Sequence, residues 1–282
     1  YLEVAPLVEK VYCGHTYFDL PPKLLKSLLK EPPLFPLPLA FLNARAYVDH
    51  AKTEIPLGAE ITAIDGITMN QVLEKLLPYI RSDGYNVTLK YRQMEDEFAL
   101  HYFLFFGLKE KFQVEYVPFG SEKKIIKEIQ AVVAKKLEAT LIDRHSNLGK
   151  LKKYKFGMIE RGIQLLSMNS FDFGLNKKGR QKYKSFLQEN FAAIEETSET
   201  DCIILDLRQN DGGYVGNDSQ LFSYFAQDTF RDAASAEVKS LKIGVKEHLA
   251  RDQFPKMLER LLAKDFKPSA DGRLFMIDEK NR

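Results

Sequence analysis

The run Cys202-Ile203-Ile204-Leu205-Asp206-Leu207 breaks off into Arg208-Gln209-Asn210-Asp211-Gly212-Gly213, and this abrupt change constrains the chain more than any other feature. A nearly unbroken apolar run without period-two alternation reads as a strand buried on both faces, as in a parallel sheet. A parallel neighbour requires a crossover of a dozen or more residues. The sequence upstream supplies one. Residues 163–171 read as a strand, and residues 179–194 as an amphipathic helix through Tyr183, Phe186, Leu187, Phe191 and Ile194. Strand, helix and strand in this order make a βαβ unit. The Gly212-Gly213 turn leads into a helix-like stretch at 219–225. It reads either as a βα turn that needs glycine for its φ angles, or as backbone N–H groups placed beside a helix start to hold an oxyanion.

The N-terminal half has a different texture. Leu2, Val4, Leu7, Val8 and Val11 form an apolar segment running into Cys13-Gly14-His15-Thr16-Tyr17, expected as a glycine turn and short strand. Six prolines from Pro21 to Pro38 allow one helical turn and then mark a connection, with a domain boundary near Leu34. From 37 to 118 the pattern is short strands with turn signals, among them Asp65-Gly66 as a hairpin turn. Met69, Val72, Leu73, Leu76 and Leu77 predict a helix with Asn70 as N-cap. Strands are expected at 98–106 and 112–117, which together describe a small, partly open barrel capped by a helix. Residues 122–141 read as helix or mixed structure, 150–155 as a solvated lysine loop, and 274–277 as the approach to the next core strand.

Composition narrows the function classes. With 41 Lys plus Arg against 39 Asp plus Glu, the net charge of +2 argues against nucleic acid as a partner. No apolar run approaches the roughly 18 residues of a transmembrane segment. Cys13 and Cys202 are too few for a disulfide framework or a CxxC metal site and are expected as buried thiols. His50, His101, His145 and His248 show no metal-ligand spacing, and Asp271 and Asp278 read as surface charges without partners. No metal and no cofactor is expected.

Three segments, in order, carry a resemblance. The strand 203–208 with Asn210-Asp211-Gly212-Gly213 resembles the strand-and-glycine motif of the C-terminal processing (tail-specific) serine proteases, a family that includes the tricorn core. Residues 56–66, ending in Asp65-Gly66, are similar to that family's PDZ-like domain, and Gly14-His15-Thr16-Tyr17 resembles a segment preceding it in the tricorn-core branch. The resemblance implies an α/β fold: a ClpP/crotonase-like βαβ protease core from residues 1–34 and 123–282, with a PDZ-like, mostly-β domain inserted at 35–122. It implies His15 as general base, Gly212 or Gly213 as oxyanion-hole donors, and Leu57, Gly58 and Ala59 as the loop that holds a peptide carboxylate. The partner implied is a polypeptide substrate, the oligomeric state is left unset, and the implied location is periplasmic, cell-surface or secreted.

The chain departs from the family at the nucleophile. Ser219, Ser223, Ser235, Ser240 and Ser269 lack the strand-to-helix setting, so the serine, and a lysine that serves as base in other members, are expected beyond Arg282. Residues 1–282 are then expected to be inactive by themselves. The alternative is a non-catalytic peptide- or ligand-binding protein that retains the fold.

Overall fold

The computed structural model describes residues 1–28, 30, 32–144, 152–173, 177–196, 200–231, 235–244 and 254–278. They belong to two compact units, Tyr1–Gly149 and Lys150–Arg282. Among the described residues no helix is long and apolar enough to cross a membrane.

The first unit begins with α1 (Ala5–Glu9), α2 (Pro22–Leu28), β1 (Pro33–Leu34), β2 (Leu39–Leu42) and β3 (Arg45–Val48). It continues through β4 (Glu60–Ile64), β5 (Ile67–Thr68), α3 (Met69–Leu76), α4 (Thr88–Phe106), β6 (Lys111–Val117), β7 (Ile125–Gln130), β8 (Val132–Val133) and α5 (Ala134–Arg144). An antiparallel sheet runs β2-β3-β4-β6-β7, with β5 paired on β4, and β1 pairs separately with β8.

The Asp65-Gly66 turn forms as read. Both residues take positive φ, 52° and 78°, as a tight hairpin turn matching strand twist requires. Asp65 also anchors β6: its carboxylate accepts the Gln113 N–H at 2.8 Å and Lys109 Nζ at 2.6 Å. Helix α3 follows the predicted stripe but is capped by Thr68 rather than Asn70, because Thr68 and Gln71 complete a reciprocal capping box.

Residues 98–106 are helix, not strand. Their aromatic content favours a strand by propensity, yet Met94, Phe98 and Tyr102 recur every four residues and are buried on one helical face. Phe98 and Tyr102 pack their rings against Phe35, at centroid distances of 5.4 and 6.0 Å. On the same helix, Glu95 accepts the Phe41 N–H at 2.9 Å and Arg92 donates to the Phe41 carbonyl, which seals the β2 edge. The stretch read as helix or mixed resolves into β7, β8 and α5.

The boundaries expected at 34/35 and 122/123 both fall inside this unit. Leu34 lies in the core on β1, paired with Val132, and Phe35 is 1% exposed. The proline-rich run here is a packed extended segment rather than a linker. Residues 13–17 are not a strand; the Thr16 N–H donates to the Cys13 carbonyl at 3.0 Å and closes a turn.

The second unit contains β9 (Tyr154–Glu160), β10 (Ile163–Met168), α6 (Lys177–Glu196), β11 (Cys202–Asp206), α7 (Val215–Phe222), β12 (Glu237–Val238), α8 (Phe254–Asp265), β13 (Phe266–Pro268) and β14 (Phe275–Ile277). Strand β10 is antiparallel to β9 and parallel to β11, with Ile163 opposite Cys202 and Ser167 opposite Asp206. The βαβ unit is therefore present, and the chain is a mixed α/β protein. Leu166, Met168, Tyr183, Leu187, Phe191 and Leu221 form its core.

Two readings need correction here. Strand β11 is an edge strand and is not buried on both faces: Ile204 is 43% exposed and Cys202 is exposed, while Cys13 is only half-buried. The strand-like segment at 274–277 forms β14, which pairs antiparallel with β12 and β13. Of the expected lysine loop, Lys150 and Leu151 lie outside the described residues, and Tyr154 already belongs to β9.

Replacing Asp65 by Ala leaves the Gln113 N–H without its partner and removes a charged one. The urea transition of the first unit should lose about 1.5–3 kcal/mol, the range for hydrogen bonds to charged groups. An unchanged midpoint would show that the turn does not anchor β6.

Candidate functional site: a glycine turn at the carboxyl end of a parallel strand pair

Beyond β10 the chain continues as Asn169-Ser170-Phe171, and beyond β11 as the Gly212-Gly213 turn. The Phe171 N–H donates to the Gly212 carbonyl at 2.7 Å and the Tyr214 N–H to the Phe171 carbonyl at 3.3 Å, forming a parallel bridge between Phe171 and Gly213. A Cβ on Gly213 would lie 2.2 Å from backbone atoms of Phe171 and Asp172, and its φ is 146°. Only glycine fits there.

Two asparagines hold the turn. Asn210 donates through Nδ2 to the Met168 carbonyl and accepts the Gly212 N–H through Oδ1, both at 2.8 Å. Asn217, 2% exposed on α7, donates to the Phe171 carbonyl at 2.8 Å, and its own carbonyl accepts the buried Tyr183 hydroxyl at 2.9 Å. No sequence motif marks Asn217, and Tyr183 stands in the sequence only as one position of the apolar helix face at 179–194.

The arrangement separates the two glycines chemically. The Gly212 N–H is held by Asn210. Among the described residues the Gly213 N–H has no acceptor, and Gly213 lines a concave, polar space of about 410 Å³ with Gly212, Ser170, Asp172 and Lys153. This space lies at the carboxyl end of parallel strands and beside the start of α7, where α/β sheets place their ligands. Ser170 is not an activated nucleophile: its hydroxyl lies 3.4 Å from the Gly212 carbonyl and accepts the Asp172 N–H at 3.1 Å.

Asp206 ends β11 below this turn. Its carboxylate binds the Arg208 guanidinium at 2.9 and 2.8 Å and accepts the Arg208 N–H at 3.1 Å. The side-chain bond, followed by the backbone bond, pulls its pKa down to about 2.

His15 belongs to the first unit and is exposed. Its surroundings include Asp83, a residue that no motif connects with it. Asp83 Oδ1 accepts the Gly14 N–H at 2.7 Å, and the Gly84 N–H donates to the Tyr12 carbonyl at 2.9 Å. Donor atoms of Cys13, His15 and Asp83 lie within 4.8 Å of one another. The Thr16 hydroxyl and then the His15 N–H act on the Cys13 sulfur and hold its pKa below the ordinary thiol value.

The loop expected to hold a carboxylate has most of its donors engaged. The Gly58 N–H donates to the Val48 carbonyl at 2.8 Å and the Ala59 N–H to the Pro56 carbonyl at 3.1 Å, closing the turn onto β3. Leu57 is 55% exposed, and the exposed Phe119 packs beside Gly58. His50 is buried between the Lys52 N–H and Asp143, and His101 between the Glu97 carbonyl and the Tyr1 hydroxyl. His145 and His248 lie outside the described residues. Asp271 and Asp278 do have partners: Ser269 and Arg273 for the first, Lys267 for the second.

Ser223, Ser240 and Ser269 donate to groups of their own turns, Ser219 contacts Asp218, and Ser235 lies exposed before β12.

No protein-family model and no curated protein matches this chain. Among solved structures it is similar to mature CPAF, at 14% identity over 66% of this chain and 42% of that one, with a TM-score of 0.35. A serine-to-alanine mutant of CPAF gives 13% identity over 76% and 47%, with a TM-score of 0.43. The chain thus spans less than half the length of either structure.

Two outcomes are expected of the turn. In an NMR titration the Asp206 carboxyl should protonate near pH 2. Because its folded pKa lies below the ordinary value of ~3.9, the pair's contribution to stability is complete above that value and is lost as pH falls from about 4 toward 2. Arg208→Ala should return the titration toward ~3.9, and an unmoved midpoint would exclude Arg208 as the cause. Gly213→Ala should break the Phe171 bridge, seen as faster amide exchange at Phe171 and Tyr214; unchanged exchange would contradict the close approach.

Proposed function

We propose that this chain is part of a serine peptidase of the C-terminal processing family, acting on polypeptides through an acyl-enzyme. The observation that carries the reading is the Gly213 N–H. Gly213 is held at the carboxyl end of the parallel pair by the Phe171 bridge and lines a polar space, and its N–H has no acceptor among the described residues. A fixed donor of this kind stabilises a tetrahedral oxyanion without reorganising during reaction. At rest Gly213 is the free donor of the glycine pair, since Gly212 is engaged by Asn210.

In this reading His15 takes the proton from the attacking serine and returns it to the leaving amine. The serine is assigned to sequence outside these 282 residues. Residues 35–122 are the peptide-recognition module, with exposed Leu57 as an apolar contact for the substrate tail. The family's ClpP/crotonase-like core, its PDZ-like insert and its location outside the cytoplasm belong to the same proposal.

The second reading is a protein that keeps the fold and binds peptides or other ligands without cleaving them; the local hydrogen bonds of Ser170, Ser223, Ser240 and Ser269 agree with both readings.

The test uses the chain extended by its natural downstream sequence. His15→Ala should lower turnover of an unfolded polypeptide by about 10²–10⁴, the usual worth of a general base, while affinity for an uncleaved peptide changes by less than about twofold. Residues 1–282 alone should show no turnover. Hydrolysis by that shorter chain, or full activity in the His15 variant, would sink the assignment, and binding without any turnover would favour the second reading.

A further inference from the structure

Cys13, His15 and Asp83 join two loops of the first unit, and their arrangement is that of a ligand set. One donor atom from each, a thiol sulfur, a ring nitrogen and a carboxylate oxygen, lies within 4.8 Å of the other two. Bond lengths to zinc of ~2.3 Å for sulfur and ~2.0–2.2 Å for nitrogen and oxygen put tetrahedral ligand atoms roughly 3.3–3.8 Å apart. The three therefore need to close in only slightly.

The loops are already tied together. The Gly14 N–H donates to Asp83 Oδ1 and the Gly84 N–H to the Tyr12 carbonyl, while the rings of Tyr12 and Tyr85 pack at 5.1 Å. A Cβ at position 14 would come within 3.0 Å of Asp83 Oδ2, so the glycine between the two ligands lets the carboxylate approach. The bond from Gly14 uses one carboxylate oxygen and leaves the other available.

We propose that Cys13, His15 and Asp83 form a zinc site, with water as the fourth ligand. The donor set selects the metal: a thiolate with an imidazole suits zinc, whereas calcium and magnesium take oxygen ligands. Three protein ligands with an open position also leave the ion accessible. Binding displaces the thiol proton to solvent and leaves the imidazole neutral. The site is defined independently of the peptidase reading. Zinc and proton transfer compete for the same imidazole, because one that holds zinc through one nitrogen carries its proton on the other; the metal-free chain is the form in which His15 can act as a base.

The experiment titrates the metal-stripped 282-residue chain with Zn²⁺ against a chromophoric chelator, and with Co²⁺ to observe a thiolate-to-metal charge-transfer band. One ion per chain is expected, with the band present. Cys13→Ser should abolish the band and weaken Zn²⁺ binding by more than about 100-fold, beyond the 10–100-fold typical of groups that only orient ligands. Asp83→Asn and His15→Ala should each weaken it at least about tenfold. Cys202→Ser, a change in the other unit, should leave binding and band intact. Absence of a thiolate band in the unmutated chain, or binding that survives Cys13→Ser, would overturn the site. X-ray absorption of the zinc-loaded, unmutated chain settles the matter without relying on variants: one sulfur scatterer near ~2.3 Å supports the proposal, and none overturns it.

Discussion

The backbone bridge between Phe171 and Gly213 is the constraint around which the second unit's site is arranged. Two strands that have ended are kept in parallel contact beyond their last paired residues, so closely that a Cβ would stand 2.2 Å from the opposite main chain. The Phe171 carbonyl accepts from both Tyr214 N and Asn217 Nδ2, which ties the start of α7 to the end of β10. Tyr183 on α6 then fixes Asn217 from the other side. Each bond contributes only about 1 kcal/mol net, but loss of one leaves a buried partner unsatisfied at about 1–3 kcal/mol. The turn is rigid because its members are mutually dependent.

The parts of the fold that were legible in the sequence are those whose burial pattern matches their local period. Tyr183, Leu187 and Phe191 recur every four residues and form one buried face of α6. Asp65-Gly66 leaves the chain few options besides a tight hairpin. Residues 98–106 misled because Phe and Tyr favour strands by composition, whereas their burial follows a spacing of four against Phe35 and Phe112. Strand β11 misled in the opposite sense: an apolar run was read as doubly covered, yet β11 lies at a sheet edge. Of the candidate site, the glycines and His15 were readable as motifs. Asp83 was not, since it reaches Gly14 across a separation of 69 residues.

Helix α4 also decides what the first unit can offer a peptide. Strand addition needs a row of free N–H and C=O groups. On β2, both groups of Phe41 are bound by Glu95 and Arg92. The loop at 57–59 has likewise turned its Gly58 and Ala59 donors inward onto neighbouring carbonyls. A peptide tail docking here would therefore rely on side-chain contact, at Leu57 and Phe119, more than on the carboxylate capture that the resemblance implies.

The engagement of Gly212 raises a quantitative question about catalysis. An oxyanion-hole donor is worth roughly 2.7–4 kcal/mol in the transition state. The bond that holds the Gly212 N–H to Asn210 is worth about 1 kcal/mol net. If negative charge develops beside Gly213, exchanging the Asn210 oxygen for the oxyanion would gain more than it loses, even after part of the Asn210 side chain is left to find water. Asn210 retains its second bond, to the Met168 carbonyl, so the side chain would stay in place as its amide oxygen is released. If the peptidase proposal holds, these magnitudes favour release of the Gly212 N–H from Asn210 once an oxyanion forms beside Gly213.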